Sequence, residues 1–312
     1  MQESKIDVSV IIVNFNTREL LKNCIASIYE HTKNVSIEII VSDNASSDGS
    51  IEMLSKDFPD VICIGNEKNL GFGTANNRAT RIARGKYNFY LNSDTILLNN
   101  AIQLFYDYFE SHHSDNIGAL GCNLLKADLS PCPSWGNFED LGKINHVINY
   151  FSHCVYGYAK LWILNKLFKK EIPSSEHKGN AVHYVGKVDY VAGADIFCRN
   201  DENALFDENF FLFYEEPDLQ LEMTKKGLSQ FIIDEPKIIH FVGGSSEKSK
   251  NIFENEISFT RVQYLLSKVY YYKKHGVPKI KVIILKALIC LLWCNPALFS
   301  HNKKYIKEML FK

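Results

Sequence analysis

No two of the eight cysteines in this chain form a CxxC pair, so neither a zinc finger nor a thioredoxin-type dithiol has a foundation. Several lie inside apolar runs, where a thiol behaves as a small hydrophobe. Charge of one sign is also missing. The 35 Lys and Arg face 36 Asp and Glu, a formal net charge of -1, which removes the basic excess that nucleic-acid binding requires. No signal peptide is visible, because residues 1–7 are largely polar and Val8–Val13 has the length of a strand. The expectation is a reducing, cytoplasmic compartment. Internal repeats and low-complexity tracts are absent too. What remains is an ordinary globular composition, 46% apolar and 23% charged over 312 residues, enough for one large α/β domain with an appendage or for two small domains.

The order of elements is more informative. Val8–Val13 (VSVIIV) is a continuous apolar run, the pattern of a parallel strand buried on both faces. Thr17 is placed to cap a following helix, whose buried stripe is Leu20, Leu21, Cys24, Ile25 and Ile28. Further strands are expected at Ile37–Val41, Val61–Ile64 and Tyr87–Leu91, with a helix at about 74–84 before the last. Strands separated by helices imply right-handed crossovers and a mostly parallel sheet covered on both sides. From 130 to 187 the rhythm fails, and an irregular insertion is expected there. Regular structure returns at Val188–Ala192, in a turn and helix over Tyr214–Lys226, at Phe231–Ile233 and at Ile238–Phe241. The expected division is an α/β domain over 1–250 and a helical segment over 251–312.

Ligands of open α/β sheets bind beyond the carboxyl ends of the strands. Those ends carry Asn14-Phe15-Asn16, Ser42-Asp43-Asn44, Asn69 to Gly73 (NLGFG) and Asn92-Ser93-Asp94. Four polar clusters at successive strand ends argue for one crevice. Asp43 has the chemistry to accept the N3–H of a uracil or thymine, or simply to form an Asx turn. Gly71-Phe72-Gly73 is no dinucleotide fingerprint, because position 76 is Asn and no glycine loop follows Val13. The glycines fit better with close approach of a diphosphate or sugar to the backbone. Asp94 suits a hard divalent ion bridging to a diphosphate.

The segment Glu215-Glu216-Pro217-Asp218 supplies the best general base. Adjacent carboxylates among Phe210, Phe211, Phe213 and Tyr214 repel in a low-dielectric setting, which raises proton affinity. Pro217 suits a first helical position, with Glu216 at the helix mouth. His240, just before the loop Val242 to Ser246, is the candidate for a further polar contact as that loop closes.

Taken in order, VSVIIVNFN (8–16), VSDNASSDGS (41–50), NLGFGTANN (69–77), LNSDT (91–95), VAGAD (191–195), FDENFFLFYEEPDL (206–219) and the segment from His240 to Ser245 resemble the family-2 inverting glycosyltransferases of the GT-A fold. The likeness is strongest to the rhamnosyltransferase-like enzymes of O-antigen and capsule assembly. It implies a GT-A domain with a C-terminal helical extension, and a sugar moved from a dTDP- or UDP-sugar to a glycan or lipid-linked acceptor. By the same resemblance Asp43 holds the pyrimidine beside Asn14 and Asn16, and Asn69, Gly73, Asn77 and Asn92 line the donor. Asp94 binds Mg²⁺ or Mn²⁺ with His240 as a further ligand, Gly193 and Asp195 lie near the sugar, and Glu216 is the base with Asp218 as a substitute. The chain departs from the family in having Glu-Glu where Glu-Asp is usual, and its metal motif opens with Asn92 rather than an acid. The alternative is a binding protein of the same fold without turnover.

Val282–Trp293 (VIILKALICLLW) is apolar except for Lys286 and lies between lysine pairs. Its 12 residues are too few for a span, which needs about 20, so a helix lying in the interface is expected. Leu161–Phe168 is a second such candidate. Both place the protein peripherally at the inner face of the plasma membrane; ordinary packing with snorkelling lysines is the other explanation.

Overall fold

The computed structural model describes residues 6–112, 116–168, 182–241 and 258–311. The described parts of 1–138, 179–211 and 215–246 form one compact unit, and those of 139–178, 212–214 and 247–312 form a second.

The first unit is built on strands β1 (Val8–Asn14), β2 (Ile37–Asp43), β3 (Ile62–Gly65) and β4 (Tyr87–Asn92). The chain continues through β5 (Thr95–Leu97), β6 (Ile117–Cys122), β7 (Trp135–Gly136) and β8 (Gly186–Val188). It ends with β9 (Tyr190–Val191), β10 (Asp195–Arg199), β11 (Ser229–Ile233) and β12 (Ile238–His240). The main sheet has the order β3-β2-β1-β4-β10-β6-β11-β8. Strands β1 to β4 run parallel to one another, and β6 is parallel to β11. Strand β10 enters antiparallel between β4 and β6. Small antiparallel pairs, β5 with β12 and β7 with β9, sit beside it.

Helices α1 (Arg18–His31), α2 (Ser50–Asp57), α3 (Phe72–Thr80), α4 (Ala101–Ser111) and α6 (Glu215–Lys225) cover this sheet. The pleat sends alternate residues of β1 to opposite faces. Val10 and Ile12 join Leu21, Ile25 and Ile28 of α1 and Phe105 and Phe109 of α4 in one buried layer. Ile11 joins Ala79 of α3 and Leu219 and Met223 of α6 in the other. Strand β1 is therefore buried on both faces, and Ser9, the one polar residue of its Val8–Val13 run, donates to the buried Glu38 carboxylate at 2.6 Å. Phe197 anchors the first layer, with ring centroids 5.4 Å from Tyr87 and Phe105.

Several expectations need correction. Thr17 precedes α1 but its hydroxyl does not cap it; it donates to Asn14 Oδ1 at 2.6 Å. Leu20 is only half-buried, so the α1 stripe is narrower than read. Helix α3 begins at Phe72, drawing two of the NLGFG residues into its first turn. Much of the stretch from 130 to 187 is regular: Ile144–Phe168 is a 25-residue helix, α5. Its aromatic and apolar residues lie on all sides, which hid the helical period.

In the second unit α5 packs on α8 (Lys279–Trp293), which also meets α7 (Phe259–Lys274) and α9 (Pro296–Phe311). Residues 139–168 thus group with the C-terminal helices. The carboxylate of Glu139 organises part of this unit, accepting from Lys268 Nζ at 2.6 Å and from the hydroxyls of Tyr214 and Tyr272. Burial works against that charge, but Lys268 and the hydroxyls outweigh it and hold the carboxyl below the usual range. Among the described residues no helix is long and apolar enough to cross a membrane.

Candidate active site

Because β1, β2 and β4 are parallel and in register, their last residues share one edge: Asn14 pairs with Asp43, and Val13 with Asn92. At this edge the Asn14 side chain donates to Asp43 Oδ1 at 2.6 Å and to Ser46 Oγ at 3.0 Å. The second Asp43 oxygen accepts the Ser46 amide at 2.8 Å. Asn14 and Asp43 are both fully buried. In this conformation Asp43 braces the loop after β2 from beneath rather than presenting an open acceptor. The accessible rim consists of Phe15, Asn16, Ala45 and Ser47, with Ser46 half-buried among them. Asn16 adopts a left-handed backbone (φ 54°), and its side chain accepts the Ser47 amide at 2.8 Å, tying the loops after β1 and β2 together.

The glycines of the NLGFG segment serve the protein's own packing. A Cβ on Gly71, whose φ is +83°, would lie 2.1 Å from the Phe211 carbonyl oxygen. That carbonyl accepts the Phe72 amide at 2.9 Å. Asn69 Oδ1 accepts the Gly71 amide at 2.9 Å and so shapes this turn. Gly73 admits the side chain of Phe206, whose Cβ would stand 2.9 Å from an added methyl. Asn77 is buried, donates to the Phe206 carbonyl at 2.8 Å and accepts the Phe206 amide at 2.8 Å. Gly73 and Asn77 therefore hold the segment that leads to α6. Gly71→Ala is expected to destabilise the fold by about 3 kcal/mol, combining overpacking with a disfavoured φ. Urea unfolding measures it, and an unchanged midpoint would mean that the contact with residue 211 is not maintained.

Asp94 and His240 meet next to the rim. Asp94 Oδ1 lies 3.3 Å from His240 Nε2, and the Asp94 carbonyl accepts the Phe241 amide at 2.9 Å. The β5–β12 pair creates this meeting, aligning Thr95 with His240. Burial alone would depress the His240 imidazole, but its hydrogen bonds to Asp94 and to the buried thiol of Cys132 outweigh that and carry it up to about 9. A carboxylate oxygen and an imidazole nitrogen converging on one position suit a divalent cation, which would replace the proton between them. The Asn92 side chain stands at 3.5 Å from Nε2, a marginal contact. The loop Val242 to Ser246, expected to close over a ligand, lies outside the described residues. Cys132 was overlooked because nothing near it in sequence marks it.

Glu215 and Glu216 diverge. Helix α6 starts at Glu215, so Pro217 is its third residue; it still falls in the first turn, where no amide donor is needed. Glu215 is buried facing Gly73 of α3. Glu216 points instead to Gly193, where an added Cβ would stand 3.5 Å from Oε1. Glu216 Oε2 is inaccessible and has no hydrogen-bond partner. Burial is the largest cause pushing the Glu216 carboxyl above its usual range. Asp218, two residues on, is about 200° further round the helix and does not share that position. Gln220 is a turn beyond Glu216 and was missed as an ordinary polar residue. It donates to the carbonyls of Val191 (3.0 Å) and Glu216 (3.1 Å) and accepts the Val191 amide (2.8 Å), fixing α6 against the strand before Gly193.

Asp195 belongs to strand β10 rather than to a sugar-facing loop. It is fully buried, with Oδ2 accepting the Cys122 amide at 2.7 Å, and burial pushes its carboxyl up to about 7. The Ala194 carbonyl before it accepts the Asn92 amide at 3.1 Å. A continuous set of contacts thus runs along the sheet edge. Thr17 and Ser93 hydroxyls, 2.8 Å apart, join the Asn14 cluster to the Asp94 loop, and Ala194 joins Asn92 to the turn under Glu216.

This architecture is the GT-A fold, and residues 9–121 carry a domain matching the family model described as Glycosyl transferase family 2. The abequosyltransferase RfbV of Salmonella typhimurium is 29% identical over 177 residues, 51% of this chain and 53% of that protein. The UDP-Glc:alpha-D-GlcNAc-diphosphoundecaprenol beta-1,3-glucosyltransferase WfaP of Escherichia coli is 36% identical over 89 residues, 28% of this chain and 35% of that protein. The mannosyltransferase PcManGT from Pyrobaculum calidifontis, solved in complex with GDP-Man and Mn²⁺, superposes with a TM-score of 0.52 at 14% identity, covering 98% of this chain and 76% of that one. The matched stretches cover 53% of RfbV, 35% of WfaP and 18% of a Bacillus spizizenii poly(ribitol-phosphate) beta-glucosyltransferase, so the chain spans about half or less of these sequence relatives.

Proposed function

We propose that this protein is an inverting glycosyltransferase that moves a sugar from a dTDP- or UDP-sugar, dTDP-rhamnose being the first donor to try, to a lipid-linked or polysaccharide acceptor in cell-surface glycan synthesis. The observation that carries this reading is Glu216: a carboxylate with a raised proton affinity whose Oε1 stands beside Gly193 at the sheet edge. Such a group is suited to take the proton of an acceptor hydroxyl. The oxygen so activated attacks the anomeric carbon, the bond to the nucleotide diphosphate breaks, and the configuration inverts. The nucleoside is received at Phe15, Asn16 and Ser46, with the Asn14–Asp43 pair bracing that rim. Asp94 and His240 would hold a divalent cation, Mg²⁺ or Mn²⁺, which when bound stabilises the charge developing on the departing diphosphate. WfaP's name gives a sugar-diphosphoundecaprenol as its acceptor, which supports a lipid-linked glycan acceptor here.

Thermal unfolding against UDP, dTDP, GDP and NAD, each with Mn²⁺ and with chelator, tests the donor site. A nucleotide at 100 times its Kd adds about 2.7 kcal/mol to the folded state. The expected result is a cation-dependent rise of roughly 5–10 °C with UDP or dTDP. No rise with either, or a rise with NAD alone, overturns the reading.

A further inference from the structure

Helix α8 is apolar on two opposite faces. Val282, Leu285, Ile289, Leu292 and Trp293 are buried within the second unit. The opposite side carries Ile280, Ile283, Ile284, Ala287, Leu291 and Cys294, all exposed; Ile280, Ile283 and Leu291 are 63%, 59% and 57% accessible. Their spacing of three and four residues makes one straight stripe along the helix. At 100° per residue, Lys281 and Lys286 sit about 110° to either side of that stripe, and Lys279 about 90° from it. Lysines therefore flank the exposed stripe where it meets the buried face. Lys286 already leans along the helix toward α9, donating to the Leu310 carbonyl at 3.4 Å.

The charge around this helix is one-sided. Residues 258–311 hold ten Lys and Arg against Glu308 alone, although the whole chain carries a net charge of only -1. A second copy would bring the same positive surplus to the same face, and like charges oppose that pairing. Nucleic acid would leave the apolar stripe in water. A bilayer with anionic headgroups satisfies both features: acyl chains receive the isoleucines, and headgroup phosphates meet the flanking lysines.

We infer that the outward face of α8, centred on Ile280, Ile284 and Leu291, is the surface by which this protein docks on an anionic membrane. The inference deepens the membrane element of the proposed function, and it resolves the two sequence readings of this segment: one face packs and the other is left for lipid.

Sedimentation of the full chain with vesicles of phosphatidylglycerol and phosphatidylcholine, compared with phosphatidylcholine alone, tests it without any donor. The protein is expected to pellet with the anionic vesicles and to be released by about 0.5 M salt, a concentration at which the Debye length falls to a few ångströms. I284E/L291E should weaken vesicle binding at least tenfold while the unfolding temperature and its shift with nucleotide stay unchanged. K279E/K281E should remove the preference for anionic lipid. Equal pelleting of wild type and I284E/L291E, or no pelleting with anionic vesicles, overturns the inference. A concentration-dependent dimer that I284E/L291E dissolves would also overturn it, by assigning the face to a second copy. Nucleotide-dependent stabilisation is read in the absence of vesicles, so either element can fail alone.

Discussion

Glu216→Gln is expected to lower kcat for sugar transfer by about 10²–10⁴-fold while leaving nucleotide-diphosphate affinity unchanged. Glutamine keeps the shape that fits over Gly193 but cannot take a proton. Its carboxylate is made basic by burial, so the rate of the wild type should rise with pH along a limb displaced above the ordinary value of 4.5. The residual rate of the variant should lack that limb. Stability gives a second readout. A carboxyl whose pKa is higher folded than unfolded keeps its proton longer in the native state. The native state is therefore penalised as pH rises through the raised pKa, and no penalty exists below 4.5. Glutamine is neutral at every pH, so the variant should unfold at a higher temperature than the wild type at neutral and alkaline pH. Unaltered kcat in Glu216→Gln would remove Glu216 from the chemistry, whereas absence of turnover in the wild type would favour a binding protein of the same fold.

The second large effect is expected at Asp94. Asp94→Asn removes the carboxylate that faces His240 at 3.3 Å, and with it the anionic donor of the proposed cation site. Loss of charge stabilisation at the departing diphosphate should cost about 10²–10³-fold in kcat. Donor affinity should lose its dependence on Mn²⁺, which calorimetric titration of the nucleotide with cation and with chelator reads directly. The main-chain bond from Phe241 to the Asp94 carbonyl is untouched, so β5 and β12 stay paired. Loss of the carboxylate that raises the His240 imidazole should nevertheless lower resistance to urea at neutral pH, a loss that fades as pH rises through about 9. A variant that keeps both its rate and its cation dependence would show that the cation, if used, is held elsewhere.

Much of the sheet was legible because its strands are buried on both faces. Val8–Val13 and Tyr87–Leu91 are apolar except for Ser9 and Asn88, which are buried, and such runs are conspicuous. Strand β10 was not legible. It starts with Asp195, a buried acid whose partner is the amide of Cys122, and it pairs antiparallel with strands distant in sequence. Helix α5 was hidden for the opposite reason, since apolar residues on every side leave no period to detect. In the candidate site, the clustering of Asn14, Asp43, Asn92 and Asp94 followed from the strand ends themselves. The roles of Gly73 and Asn77 did not, because their partner, Phe206, lies 129 residues beyond Asn77. Polar and glycine residues beside a crevice look alike in sequence whether they await a ligand or already hold a distant backbone.

The sequence alone determined the alternation of strands and helices, and through it the edge where a ligand must bind; local hydrophobic period and strand length suffice for that. It also determined the inventory of acids at that edge. Which acid does what was decided only by the tertiary structure. Burial raised Glu216 and sent Glu215 toward α3, the β5–β12 pair brought His240 to Asp94, and Asn14 closed over Asp43. Proton affinity and accessibility depend on what surrounds a side chain in three dimensions, and those neighbours come from parts of the chain that no local pattern connects.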